Sequence, residues 1–426
     1  MSSSPPNRFL VIGAGAAGLM AARALARAGK RVTILEARDR CGGRICPLPA
    51  EDFGYPAEGG AEFVHGAAPV TRALIREAGL TFVARSGTRW HVEAGTLVTG
   101  EREVPHAAEF ARALEAVTED LPIAEVLGAH FAAPHYDGLR RAVTGRVSSY
   151  DLADPQRVST LAIRDEWLGR DEMPHGRIGE GYGALITYLA ARSRELGAEI
   201  HLGVPVTAIE ETGAGIAARC RDGGRFEADA AVLAVPLPIL SEIALPPAQR
   251  RRVAAAGDIG FGNVVKILLR FRTRWWTTQK GRDLADMASV VSDATVRRWW
   301  TQYPADRAVL TGWCPASRIE RVESLTEAEL TEIGLSSLAE VFGLPVAEIG
   351  GELVAARAID WGRDPFARGG YSYATPGTRD AQKMLITPDG SAVFFTGEAL
   401  YAGPDMGTVE AALASGRDTA QAILAG

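Results

Sequence analysis

Three groups of residues in this chain of 426 carry chemistry in their type and spacing. Near the start, Gly13, Gly15 and Gly18 fall in a Gly-x-Gly-x-x-Gly pattern, with the acidic Glu36 about 20 positions on. The first glycine permits a tight turn, the second lets backbone approach a diphosphate, and the third lets a helix lie close on a strand. Gly42, Gly43 and Arg44 then set flexible backbone beside a guanidinium, whose fork can bridge phosphate oxygens. Far downstream, Lys266 stands in the apolar run NVVKILLRF, where a charge needs a reason.

The elements that must position the first two groups are legible around them. Phe9 to Ile12 is an apolar run without alternation, as in a parallel strand buried on both faces. The alanine-rich stretch after the turn predicts a helix to Ala28, with Gly29 as its stop. Amides at its start, on Ala16, Ala17 and Gly18, would face phosphates. Arg31 to Leu35 predicts the next strand, which delivers Glu36 to ribose hydroxyls; a carboxylate there disfavours a 2′-phosphate, and with it NADP. A glycine turn without a ligand would not need strand, helix and acid in this order. NAD-binding proteins have no general need for Gly42-Gly43-Arg44. The continuation Glu36, Ala37, Arg38 to Arg44 therefore points to FAD.

On these residues the sequence resembles the flavin-containing amine oxidase family, and the likeness extends over nearly the whole chain. The segment Glu58 to Gly66 is similar to the family's passage beneath the flavin. That resemblance puts Gly60, Ala61 and Glu62 at the cofactor, and Phe63 and His65 toward the substrate. It sets Val206 at the adenine and Gly397 and Glu398 near the ribityl and pyrophosphate. Gly407, Thr408 and Val409 then bring helix-end amides to the ring edge, where reduction leaves negative charge. Lys266 matches the family's active-site lysine, which holds a water against the flavin. Strand pattern alone favours instead an edge-strand lysine facing solvent.

In WGRDPFARGGYSY, Trp361 and Tyr371 match the family's aromatic wall, where a ring face orients an amine. As large hydrophobes both would also suit a core. Gly370 stands where monoamine oxidases tether FAD through a cysteine, so the resemblance implies noncovalent FAD. Thr408 stands where a second aromatic would complete the pair, which leaves a monoamine substrate less secure. His65 resembles a histidine of animal polyamine oxidases, although a lone loop histidine bonded to backbone is an equal reading. Glu62, Glu166 and Asp171 would suit the distal charges of a polyamine.

The implied fold class is α/β: a Rossmann-like FAD-binding domain plus an α+β substrate domain with a mixed sheet flanked by helices, the amine oxidase-like two-domain architecture. Residues 7–80, 195–262 and 380–426 would form the first domain, and 81–194 and 263–379 the second. The implied reaction moves hydride from an amine to the flavin, gives an imine that hydrolyses, and reduces O2 to H2O2. Two other readings remain: a related flavoprotein that dehydrogenates carbon–carbon bonds, such as protoporphyrinogen oxidase or a carotene desaturase, and a non-catalytic FAD scaffold. Lys266, Trp361 and Tyr371 favour amines over both.

Bulk properties agree with a globular enzyme. Apolar residues make up 47% and charged residues 23%, and a formal charge of −6 leaves no basic footprint for nucleic acid. No apolar run reaches the roughly 18 residues of a membrane span. MSSSPPNR lacks the regions of a signal peptide, and Cys41, Cys46, Cys220 and Cys314 have neither zinc spacing nor a disulfide framework. The expectation is a cytoplasmic protein with reduced thiols, no metal, and a small amine and O2 as its partners. Nothing in the pattern signals an oligomeric state.

Overall fold

A computed structural model of the chain describes residues 6–169, 173–213, 215–279, 281–388 and 390–425. Five short parallel strands make the first sheet, in the order Val393–Phe395, Ala230–Leu233, Arg8–Ile12, Arg31–Leu35 and Glu199–His201. The unalternating run Phe9 to Ile12 is central and buried, because helices cover both faces of a parallel sheet. Helix Ala16–Arg27 starts directly after the glycine turn. Its small residues let the C-terminal helix Val409–Ala425 come very close: a Cβ on Gly416 would lie 2.2 Å from the Ala17 carbonyl oxygen. A three-stranded antiparallel sheet, Val206–Thr212, Gly215–Cys220 and Arg225–Ala228, flanks this layer.

The second sheet has seven strands, in the order Leu353–Asp360, Val264–Phe271, Val309–Pro315, Arg298–Trp300, Met287–Val291, Thr88–Glu93 and Thr96–Thr99. All neighbours are antiparallel except Met287–Val291 with Thr88–Glu93. Helix Glu327–Phe342 covers one face, begun by a capping box between Thr326 and Glu329 and ended by Gly343 in the left-handed region. Val265, Ile267 and Leu269 point into that apolar core with Trp276 and Trp299. By alternation, Lys266 must point to the opposite face. Its strand is interior rather than at an edge, so the solvent-facing alternative is ruled out: Lys266 is fully buried.

One segment departs from the sequence-based division. Helix Tyr182–Glu195 had been assigned with residues 81–194 to the second domain. Its stripe of Tyr182, Leu185, Ile186 and Leu189 instead packs into the core shared by Phe9, Leu19 and Leu413. The spacing i, i+3, i+4, i+7 makes one apolar face, and helix Ala16–Arg27 is what covers it. The chain therefore returns to the first layer before Tyr182. Among the described residues no single helix is long and apolar enough to cross a membrane.

Candidate active site

Every described residue assigned above to the cofactor, the reaction or the substrate, except Gly18, lines one cavity of about 2230 Å³ between the two sheets. Gly18 is under the turn, where a Cβ would lie 2.0 Å from the Gly13 carbonyl oxygen, so only glycine lets the helix sit there. At this end Gly13 has φ +102°, and a Cβ on Gly15 would meet nothing within 4 Å. The helix start has no side-chain cap, which leaves the amides of Ala16, Ala17 and Gly18 without a hydrogen-bond partner among the described residues. Gly42 donates its amide to the Ala14 carbonyl at 2.9 Å, which brings Gly43 and Arg44 beside the turn. Glu36 is buried and accepts from the amides of Ala14 at 2.7 Å and Arg38 at 2.9 Å. Each of its oxygens keeps acceptor capacity toward the cavity. Open amides, an acidic acceptor and Val206 in one groove fit the ADP half of FAD.

Two side chains expected at the cofactor have strong protein partners. The Arg38 fork is closed on Asp364, at 2.9 and 2.5 Å, in a bidentate pair with the loop after Trp361. One nitrogen of Arg44 donates to Glu398 and to the Gly370 carbonyl, both at 2.8 Å, and Glu398 also accepts from the Ser372 hydroxyl. At the far end of the groove the expectation for Thr408 needs correcting. Its amide already donates to the Asp405 carbonyl at 3.2 Å, and its hydroxyl accepts from the Ala411 amide at 3.1 Å. Thr408 is thus the cap of the C-terminal helix, and Val409 supplies the open amide there.

Lys266 lies at the centre of the cavity wall. Its Nζ donates to the Gly60 carbonyl and to Glu62 Oε2, both at 2.9 Å. Glu62 also accepts from Arg177 Nε at 2.8 Å, Trp300 Nε1 at 3.0 Å and Gln302 Nε2 at 3.0 Å. Burial alone would raise the Glu62 pKa, but Lys266, Arg177 and the Gln302 amide outweigh it and hold the carboxyl at about 2. With both oxygens filled, Glu62 is the counter-charge of the lysine and has no capacity left for a polyamine. Nearby Glu58 has the opposite balance. Burial dominates, one oxygen has no partner, and its pKa is pushed up to about 7.

Trp361 is buried with its ring nitrogen on the Gly59 carbonyl at 3.1 Å, directly over the glycine passage. Tyr371 stacks on Trp313, with centroids 6.0 Å apart and planes at 17°, and its hydroxyl donates to the Tyr150 carbonyl. Trp313, a cavity residue absent from the sequence-based set, is the direct strand partner of Lys266. Phe63 lies under the Arg177 guanidinium at 4.5 Å. His65 sits 3.3 Å from His175, ring nitrogen to ring nitrogen; burial first, then His175 and Arg85, lower its pKa to about 4, so it is neutral at pH 7. Glu166 opens on the cavity beside Asp151, which the sequence had not flagged. Asp171 lies outside the described residues.

Residues 16–135 and 124–424 match the flavin containing amine oxidoreductase family. The chain belongs to that family. FAD is accordingly the cofactor of this enzyme and amine oxidation its reaction, and the relatives favour that reaction over the scaffold and carbon–carbon readings. Polyamine oxidase 4 of Oryza sativa subsp. japonica is 27% identical over 97% of the chain and 88% of its own length. Lysine-specific histone demethylase 2 of Homo sapiens is 26% identical over 92% of the chain and 50% of its own. Among solved structures, a putrescine oxidase superposes with a TM-score of 0.80 at 21% identity, covering 99% of both chains. Cyclohexylamine oxidase from Brevibacterium oxydans IH-35A does so at 0.78 and 22%, covering 98% of this chain and 99% of its own. These likenesses carry the fold across the whole length of the enzyme.

Proposed function

We propose that the enzyme oxidises the unprotonated form of a small amine against the wall formed by Lys266, Trp361, Tyr371 and Trp313, with O2 as the final acceptor. The observation that carries this reading is a buried lysine, hydrogen-bonded among the described residues to Gly60 and Glu62, on the wall that also holds the stacked aromatic pair. Bound FAD would supply the two-electron acceptor for hydride from the amine's α-carbon and the link to O2, so that the products are H2O2 and an imine that hydrolyses to a carbonyl compound. The amides of Ala16, Ala17 and Gly18, with Glu36, Arg44, Glu398 and Val409, would hold the cofactor. None of the cysteines lines the cavity, which supports noncovalent retention.

The side chains position rather than transfer. An ammonium has three N–H donors, and Lys266 spends two on Gly60 and Glu62. The third is free for a water at the cavity wall, a proton source beside the site where O2 is reduced. Trp361 fixes the glycine passage through its bond to Gly59, and Tyr371 and Trp313 present flat faces that orient the nitrogen end of the amine. The names of the relatives, polyamine, putrescine and cyclohexylamine oxidases, support aliphatic amines as the substrate class.

Replacing Lys266 by Met tests the role of the wall. The variant is expected to retain FAD, released as yellow flavin by acid, yet to show slower bleaching by amine without O2 and slower recovery of colour when O2 is admitted. Rates equal to the wild type would remove Lys266 from the reaction.

A further inference from the structure

The cavity carries an electrostatic feature that amine oxidation does not use. In the seven-stranded sheet, Lys266, Trp313 and Arg298 are direct partners across neighbouring strands, so all three project from one face. Two strand spacings, about 10 Å, separate the lysine from the arginine. In the adjacent row on the same face come Trp300, which bonds Glu62, and Ser289, which accepts from Arg85 Nη2 at 3.1 Å. Arg85 lies over the outer side of Phe63 at 5.6 Å, with Arg177 over the same ring.

Arg177 has Glu62 and Arg89 has Glu101 as ion-pair partners. Arg298 has neither an ion pair nor a side-chain hydrogen bond among the described residues, and Arg85 has only the Ser289 hydroxyl. Burial lowers the pKa of both, joined at Arg85 by repulsion from Arg298, Arg177 and Arg89 and opposed at Arg298 by Tyr150 and Glu101; for Arg85 the value falls to about 10, still charged at pH 7. Half-buried charges of one sign without a counter-charge are costly.

A carboxylate pair lining the same cavity makes the contrast. Burial raises the pKa of Asp151 and of Glu166, joined at Asp151 by the charge of Glu166, against the pull of Arg146. A carboxylate pair can relieve its repulsion by sharing a proton. An arginine has no such route, because its guanidinium does not deprotonate in proteins. Glu101, the acidic group that acts on Arg298, is itself paired with Arg89, and among the described residues no carboxylate bonds Arg298 or Arg85; an anionic ligand would supply that close partner.

We propose that Arg85 and Arg298 form an anion pocket that selects amines carrying a remote carboxylate, with the amine end at the Lys266–Tyr371 wall and the carboxylate on the sheet. The inference rests on the amine-oxidation reading and names its substrate class. The span excludes α-amino acids as the best substrates, since their carboxylate is bonded to the reacting carbon itself. An ω-amino acid of several methylenes bridges the distance. Asp151 and Glu166, whose charges reach Tyr371, attract the ammonium end, so the cavity is complementary to a zwitterion rather than to a dication.

The test compares ε-aminocaproate, n-hexylamine and hexamethylenediamine as substrates of the FAD-loaded enzyme, with calorimetric titration of hexanoate as a readout independent of turnover. The expected result is a kcat/KM at least about tenfold higher for ε-aminocaproate than for n-hexylamine, the worth of one charge-assisted contact. Arg298→Gln and Arg85→Gln should each lower that ratio about tenfold and weaken hexanoate binding in step, with Arg298→Lys retaining part of both. Preference for the diamine, or hexanoate binding unchanged in both variants, would overturn the pocket. Aminohexyl phosphate favoured over ε-aminocaproate would overturn the carboxylate assignment. If no amine bleaches the flavin, the amine-oxidation reading fails on its own, and the hexanoate titration still decides the pocket.

Discussion

Replacing Glu62 by Gln should destabilise the enzyme by about 3–5 kcal/mol at pH 7, the cost of breaking a buried ion pair from one side. The structure gives an independent route to the same size. Glu62 has its pKa held at about 2 against an ordinary 4.5, a gap of about 2.5 units, or ~3 kcal/mol of differential interaction. A glutamine is nearly isosteric, but every partner of this carboxylate is a donor: Lys266, Arg177, Trp300 and Gln302. The amide would turn two N–H groups toward that shell, leaving them unpaired along with part of the lysine's charge. The sign of the pH dependence follows. A carboxyl with a depressed folded pKa adds stability that is complete above about pH 4.5 and is lost as pH falls toward 2. The gap between wild type and variant should therefore be constant from pH 8 to 6 and begin to close below pH 5. Urea unfolding of both proteins at matched excess FAD, in half-unit pH steps, measures it. A difference under about 1 kcal/mol at pH 7 would refute the claim that Glu62 carries the lysine's counter-charge.

Two further changes probe buried carboxyls with other tasks. Glu58 has a folded pKa near 7 against 4.5, so it costs stability as pH rises through that window, by up to ~3 kcal/mol above pH 7. Glu58→Gln should therefore gain stability relative to wild type at pH 8 and show little difference at pH 5; a loss at pH 8 in urea unfolding would contradict the assignment. Glu410, on the C-terminal helix, accepts from the amides of Val70 at 2.9 Å and Thr71 at 2.7 Å, at the start of helix Pro69–Glu77. Glu410→Gln should cost about 1–3 kcal/mol, as a buried charge-assisted cap does, and unfolding indistinguishable from wild type would deny it that role.

The start of the chain was legible because its parts are local. Strand, turn, helix and acid follow one another between Phe9 and Glu36, and each constrains the next. Lys266 was legible as an anomaly, a charge inside an apolar strand. What it does there was not, because Glu62 sits 204 residues away, and Trp300 and Gln302 meet Glu62 across 238 and 240. No spacing rule reaches that far; only closure of the seven-stranded sheet over the glycine passage brings them together. Arg38 shows the converse. Local reasoning sent its fork to the cofactor, and Asp364, 326 residues on, engages it. The boundary drawn at 194 misses for a related reason: what covers the stripe Tyr182, Leu185, Ile186 and Leu189 is helix Ala16–Arg27, far back along the chain.

Lys266, Trp313, Arg298 and Val291 are successive partners across four strands, which makes the cavity face of the sheet a ruled grid. Moving one square sideways shifts a side chain by about 4.8 Å, and two residues along a strand by about 6.8 Å, with the backbone unchanged. Substrate length in this scaffold can then be graded like the teeth of a key. An arginine exchanged from 298 to 291 would ask for a molecule longer by about four bonds, while the lysine end of the lock keeps its shape.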